Sequence, residues 1–211
     1  PILTDQGFEL IFRNVPSDAA SACNLADLAA EQGIRLPVIA YVDSAYGRGY
    51  ANAFEGRAVS LGMQIPDRMH HPRGSGASDF IPLIEWWRRN FQFDGIVFIG
   101  HLPDAAHFVR VTRELGVRVP IFGNDTLDSQ QLIEVAGTHA DNLLIEASYD
   151  EESGGEHVKV FKKAYRERYG EEANYFAALG YDALRLIVVA IEKAGRPVPL
   201  EMAEQLRQLK N

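Results

Sequence analysis

Three short apolar runs set the rhythm of this chain. Val38-Ile-Ala-Tyr-Val42, Gly95-Ile-Val-Phe-Ile99 and Val119-Pro-Ile-Phe122 each stop abruptly at small or polar residues, and a stretch with helical spacing follows each of them. Continuous apolar runs are what strands buried on both faces require. Two further strands are predicted, a weak one over 63–67 and another over 142–147, and a short strand over 7–16 is expected to lead into them. Between the strands the periodicity becomes helical. Ser17 or Asp18 caps a helix running to about residue 32, with Ala22, Leu25, Ala26 and Leu28 on its apolar face and Gly33 as its stop. Further helices are predicted over 47–61, 80–90, 104–115 and 129–136, ended where a stop is legible by Gly62, Gly116 and Gly137. Ser78 or Asp79 is read as the cap of the third, which places Pro82 in its first turn, where a missing N–H is harmless. Residues 70–78 are read as a loop. Five strands alternating with helices specify an α/β fold with a doubly wound, parallel, five-stranded sheet, because crossover connections are right-handed.

That architecture selects candidate functional residues. Ligands of open α/β sheets sit beyond the carboxyl ends of the strands. Ser44, Tyr46, His101 with its neighbour Leu102, and Asp125 all follow predicted strands and are expected to face one cleft.

The C-terminal third departs from this grammar. Residues 149–155, Tyr-Asp-Glu-Glu-Ser-Gly-Gly, form an acidic, glycine-containing segment that reads as a hinge or linker. Helices are predicted over 156–169, 174–194 and 200–209. The second carries Leu179, Ala183, Leu186, Ile187, Ala190 and Ile191 in an apolar stripe. The sheet is complete by residue 147, so this stripe calls for another surface to cover it.

Composition narrows the function classes. A net charge of −8 and a pI near 5.3 argue against nucleic acid and anionic membrane as partners, because phosphates demand clustered Lys and Arg. No run of about 18 apolar residues is present to span a bilayer. The sequence opens at Pro1 without a signal-peptide pattern, which leaves the compartment open. Cys23 stands alone in an apolar helical setting and reads as a small core residue.

Several motifs fail as chemistry. Gly47-Arg-Gly49 follows a strand, but Asn52 occupies the place of the third glycine of a dinucleotide fingerprint. His70-His71 lacks a second ligand pair at metal spacing. Trp86-Trp87 sits inside a helix, so at least one ring belongs to the core. No Gly-x-Ser-x-Gly elbow occurs, and His101 and Leu102 stand where a response regulator needs its acceptor aspartate. No enzymatic activity, cofactor or metal is expected.

The ordered pieces Phe12-Arg-Asn-Val-Pro-Ser-Asp18, Asp43-Ser-Ala-Tyr-Gly-Arg-Gly49, Ser78-Asp-Phe80, Asp94-Gly-Ile-Val97, Arg113-Glu-Leu-Gly116, Ala136-Gly137, Phe161-Lys-Lys-Ala-Tyr165 and Gly180-Tyr-Asp-Ala183 resemble the type 1 periplasmic binding proteins, specifically the branch of the leucine/isoleucine/valine-binding proteins. The resemblance implies that residues 7–149 form the second lobe of such a protein. It implies that residues 150–211 are the hinge return and helices of the first lobe, whose earlier part is missing. It implies a solute-binding component of an ABC-type importer, periplasmic or extracytoplasmic. Such a component takes an amino acid or similar zwitterion by hinge closure and docks on a membrane permease. The alternative is a ligand-sensing domain of the same fold coupled to a signalling output domain. Association of copies through the apolar helix is a further partner reading.

In this frame Tyr46 matches an aromatic position covering the ligand, and Asp125 an acidic position that pairs with its ammonium, a charge-assisted hydrogen bond. Against this, Tyr46 reads as a surface tyrosine at a helix start and Asp125 as a helix cap. His101 stands where relatives carry an aromatic residue, and either donates to a polar ligand group or lines the rim. Ser44 serves equally as a cap or a ligand contact.

Overall fold

The computed structural model describes residues 4, 6–147 and 155–209. They fall into two compact units, residues 17–147 and residues 1–16 with 148–211, each taken here by itself.

The first unit begins with α1 (Asp18–Glu31), capped by the Ser17 hydroxyl, which accepts from Ala20 N–H at 3.1 Å. There follow β1 (Pro37–Val42), α2 (Ala45–Ser60), β2 (Arg68–His71), α3 (Ala77–Asn90), β3 (Gly95–Ile99), α4 (Asp104–Glu114), β4 (Ile121–Gly123), a 3₁₀ turn (Asp125–Leu127), α5 (Gln130–Ala136), a second 3₁₀ turn (Gly137–Ala140) and β5 (Leu143–Ile145). The five strands form one sheet in the order β2-β1-β3-β4-β5, parallel throughout. The α/β, doubly wound, parallel five-stranded architecture is therefore as the sequence predicts.

Strand alternation distributes the core between the two faces. Val38, Ala40, Ile96, Phe98 and Ile121 point to one side and pack with Phe80, Ile84, Trp87 and Phe108 of α3 and α4. Ile39, Val97, Ile99 and Phe122 point to the other and meet Leu25, Ala26, Tyr50 and Phe54 of α1 and α2. Polar staples close the opposite end of the sheet. Asp94 accepts from the N–H groups of Arg35 and Leu36, both at 2.8 Å, and fixes the entry to β1 beside β3. Arg113, 5% exposed, donates to the carbonyls of Val117, Val119, Asp141 and Asn142, binding the approaches to β4 and β5.

Local differences from the sequence reading have physical causes. No strand forms within 7–16; the segment is turns and bends and belongs to the helical unit. The second strand is Arg68–His71, not 63–67. Pro66 has no N–H to give a ladder, and an edge strand with a single partner tolerates the polar residues that read as loop. Helix α3 starts at Ala77 behind Gly76, whose N–H donates to the Asp79 carboxylate at 2.8 Å. Asp79 thus caps from inside the helix, and Pro82 lies in its second turn. Strand β4 starts after Pro120, and β5 is three residues long because β4 ends at Gly123. Of the tryptophan pair, Trp87 is fully buried and donates to Asp67 at 2.9 Å, while Trp86 is 49% exposed. Cys23 is half-buried on α1 rather than in the core.

The second unit contains α6 (Glu156–Tyr169), α7 (Tyr175–Ala194) and α8 (Pro199–Arg207), with residues 6–16. Asn174 caps α7 by accepting from Ala177 N–H at 3.0 Å, and Pro199 occupies the first turn of α8. Phe161 of α6 and Tyr181 of α7 bring their rings to 4.6 Å. Asn14 donates to the Leu179 carbonyl at 3.0 Å, and Arg207 to that of Glu9. The expected hinge over 149–155 lies, except for Gly155, outside the described residues.

Candidate functional site

The strand order creates one place where chain connections diverge. From β1 the chain runs outward to β2, then returns past β1 to β3. Loops leaving the carboxyl ends of β1 and β3 therefore part from each other, which opens a crevice. Ser44 and Tyr46 follow β1, His101 and Leu102 follow β3, and Asp125 follows β4.

The Ser44 hydroxyl accepts from Gly47 N–H at 3.0 Å and caps α2, so its oxygen is already engaged in the fold. Gly47 is there by necessity: a Cβ on it would stand 2.0 Å from the Val42 carbonyl oxygen, so only glycine lets α2 press this close to the end of β1. Tyr46, in the first turn of α2, stacks its ring on His101 with centroids 5.3 Å apart and planes at 24°. Tyr50, one turn further along, meets Tyr46 edge to face at 6.0 Å. Burial holds the His101 imidazole below its ordinary pKa, and the Arg73 charge adds to this, so the ring is neutral at pH 7. Leu102 packs against the core face shared by Phe80 and Phe108. Asp125 opens the 3₁₀ turn, and the cap of α5 is Ser129, which accepts from Gln131 N–H at 3.3 Å. Capping α5 is thus not the task of Asp125.

Sequence reasoning does not single out four residues that support this candidate site. Asn124, fully buried, accepts from Gly100 N–H at 3.0 Å and donates to Gly100 O at 3.2 Å. With the Thr126 hydroxyl, which donates to the same carbonyl at 2.8 Å, it fixes the loop carrying His101 to the loop carrying Asp125. Tyr50, 1% exposed, donates its hydroxyl to Glu146 just after β5 at 3.1 Å. Burial drives the Tyr50 phenol far above its ordinary range and raises the Glu146 carboxyl; the neighbouring Asp125 charge pushes both the same way. The only signal in the sequence was the polar break after each apolar run, read for Asp125 but not for Asn124 or Glu146.

The arrangement offers aromatic faces, a neutral imidazole and carboxylates at the strand ends. Among the described residues no group of three or more His, Cys, Asp or Glu side chains is placed to hold a metal. Such a surface has the chemistry to meet a small molecule with a cationic end and an apolar or planar body.

Comparison with known proteins gives the family. A family model described as periplasmic binding protein matches residues 4–210, and the chain belongs to that family. It resembles a leucine-, isoleucine-, valine-, threonine- and alanine-binding protein of Pseudomonas aeruginosa, 23% identical over 98% of this chain and 55% of the relative. A leucine-binding protein from Thermotoga maritima superposes with a TM-score of 0.91 at 29% identity, covering 100% of this chain and 60% of its own. An ABC transporter substrate-binding protein from Desulfitobacterium hafniense, in complex with Leu, superposes at 0.80 with 33% identity, covering 98% of this chain and 59% of its own. The chain thus spans somewhat over half the length of these relatives.

Proposed function

We propose that this chain is part of the solute-binding component of an ABC-type importer and takes a small amino-acid-like ligand at the strand ends of residues 17–147. Asp125 receives the ligand's ammonium, Tyr46 and His101 cover its body, and Leu102 contributes an apolar wall. The observation that carries the reading is the Tyr46–His101 stack at the divergence of β1 and β3. Branched-chain amino-acid binding in the names of the similar proteins supports the ligand class. The unit of residues 1–16 and 148–211 then belongs with the first lobe, reached through the hinge return, and the lobe of residues 17–147 closes over the ligand. Closure removes water, which strengthens each polar contact. The protein works outside the cytoplasm, delivers its ligand to a membrane permease, and carries out no chemistry on it.

Isothermal calorimetry of the full-length gene product with L-leucine and related amino acids tests this. Asp125→Ala weakens binding by about 2–5 kcal/mol, the usual loss when one partner of a desolvated charge pair is removed. Unchanged affinity removes Asp125 from the site, and no heat with any amino acid rejects the ligand class.

A further inference from the structure

Glu146 is the one acid near the candidate site that comes from β5, and its surroundings are those of a group built into place. Its backbone N–H donates to Gly123 O at 3.1 Å, continuing the contact between β4 and β5 one residue past the strand. Its side chain is half-buried and accepts from the Tyr50 hydroxyl at 3.1 Å. Ser21 and Asn24 of α1 are near enough to favour its charged form. The backbone bond to β4 and the bond from Tyr50 of α2 thus hold this one acid from two sides. A carboxylate held this way resists rotation, because a rotamer change breaks its charge-assisted bond.

The contact does not end at Tyr50. A phenol this buried needs an acceptor for its proton, and unpaired buried hydroxyls are costly. With Glu146 in place the Tyr50 ring has a defined orientation, and its edge meets the Tyr46 ring at 6.0 Å and 61°. Tyr46 in turn lies on His101 at 5.3 Å. Edge-to-face and stacked ring pairs are sensitive to relative angle, so a rotation of Tyr50 is felt at the outer pair.

We propose that Glu146 is a positioning residue for the ligand-facing ring pair: through the Tyr50 hydroxyl it holds Tyr46 in its stack on His101. This rests on the reading that Tyr46 and His101 face the ligand. Glu146 is assigned this role through the Tyr50 hydroxyl and not through contact with the ligand. The raised pKa of both partners agrees with a shared, water-poor contact.

The test is made without ligand, so its failure is distinguishable from failure of the ligand reading. The full chain is labelled at histidine, and the His101 ring resonance is assigned by its loss in His101→Gln. Tyr46→Leu marks where that resonance lies once the stack is gone. At neutral pH, Glu146→Leu, which removes the acceptor, and Tyr50→Phe each move the His101 signal more than halfway toward that mark. The double variant moves it no further than the larger single change. A His101 signal that stays at its wild-type position in folded Glu146→Leu overturns the proposal. So does a Glu146→Leu shift that persists undiminished on the Tyr50→Phe background, because the effect then bypasses Tyr50. Where Glu146→Leu does not fold, by circular dichroism, Tyr50→Phe tests the same link, and an unmoved His101 signal there overturns it equally.

Discussion

Ile39, Phe98 and Trp87 of the sheet unit have no measurable exposure, whereas Leu184 and Phe176 on α7 are 61% and 58% exposed. Both regions are rich in apolar residues, yet only one covers them. In residues 17–147 the sheet lies between α1 and α2 on one face and α3, α4 and α5 on the other, so every apolar row has an opposing row. Helix α7 is apolar over more than one side. Its neighbours α6, α8 and residues 6–16 bury Ala190 and shield Ala183, while Leu184, Leu186, Ile187 and Val188 keep between 37% and 61% of their surface. Between α7, α8 and the segment around Leu10 and Phe12 there remains a groove of about 520 Å³. Periodicity alone therefore does not reveal whether an apolar stripe will be covered by its own unit.

The largest expected contrast comes from the core. Trp87→Ala removes a fully buried ring and its bond to Asp67, and lowers the stability of the sheet unit by about 3–5 kcal/mol in urea titration. A loss below about 1 kcal/mol would show that this core relaxes freely and would erase the contrast. Next, Asn124→Ala leaves the Gly100 N–H without its partner and the Gly100 carbonyl with Thr126 alone, and destabilises by about 1–3 kcal/mol. The same substitution loosens the loops of His101 and Asp125, seen as faster amide exchange at residues 100–102. Exchange unchanged there would show that Thr126 alone holds them.

The pH response sharpens the comparison further. Burial depresses the His71 pKa below its ordinary 6.5. The folded state then binds fewer protons than the unfolded state, so this group leaves stability intact above pH 6.5 and lowers it as pH falls toward the folded pKa. Glu146 acts in the opposite sense: its raised carboxyl binds more protons when folded, so its contribution falls as pH rises through the range just above 4.5. In the helical unit the shifted groups described are all exposed: the pairs Arg166 with Glu172 and Arg196 with Glu201, and Tyr165 beside Glu171. Melting curves between neutral pH and the ordinary pKa of a carboxylate should show the acid loss in the sheet unit, reduced in His71→Phe. An unchanged acid limb in that variant would remove His71 as its source. The smallest effect is expected at Leu184→Lys, within about 0.5 kcal/mol of wild type in urea titration. A large destabilisation there would mean that α7 is already covered in solution.

Legibility followed how local each determinant is. β1 and β3 were readable because burial on both faces leaves an unbroken apolar run, and helix ends were readable from caps such as Ser17 and stops such as Gly116, at φ +81°. β2 was not, because an edge strand follows its neighbour's register rather than its own pattern, and Arg68-Met-His-His71 has no strand signature. At the candidate site, Tyr46, His101 and Asp125 were found by their place after apolar runs. Tyr50 and Glu146 were not, since their bond joins residues 96 positions apart and nothing at either position announces the other. Asn124 was passed over because an amide before an aspartate reads as ordinary turn chemistry.

Gly47 has a practical consequence for anyone wishing to retarget this surface toward a new analyte. A combinatorial library over positions 46, 101, 102 and 125 varies side chains on loops and a first helical turn, and leaves the backbone beneath them unchanged. Randomising position 47 together with 46 would fill that library with chains whose α2 cannot dock on β1. Holding Gly47 and Asn124 fixed while diversifying around them keeps a rigid frame under an exchangeable face, the arrangement wanted in a biosensor.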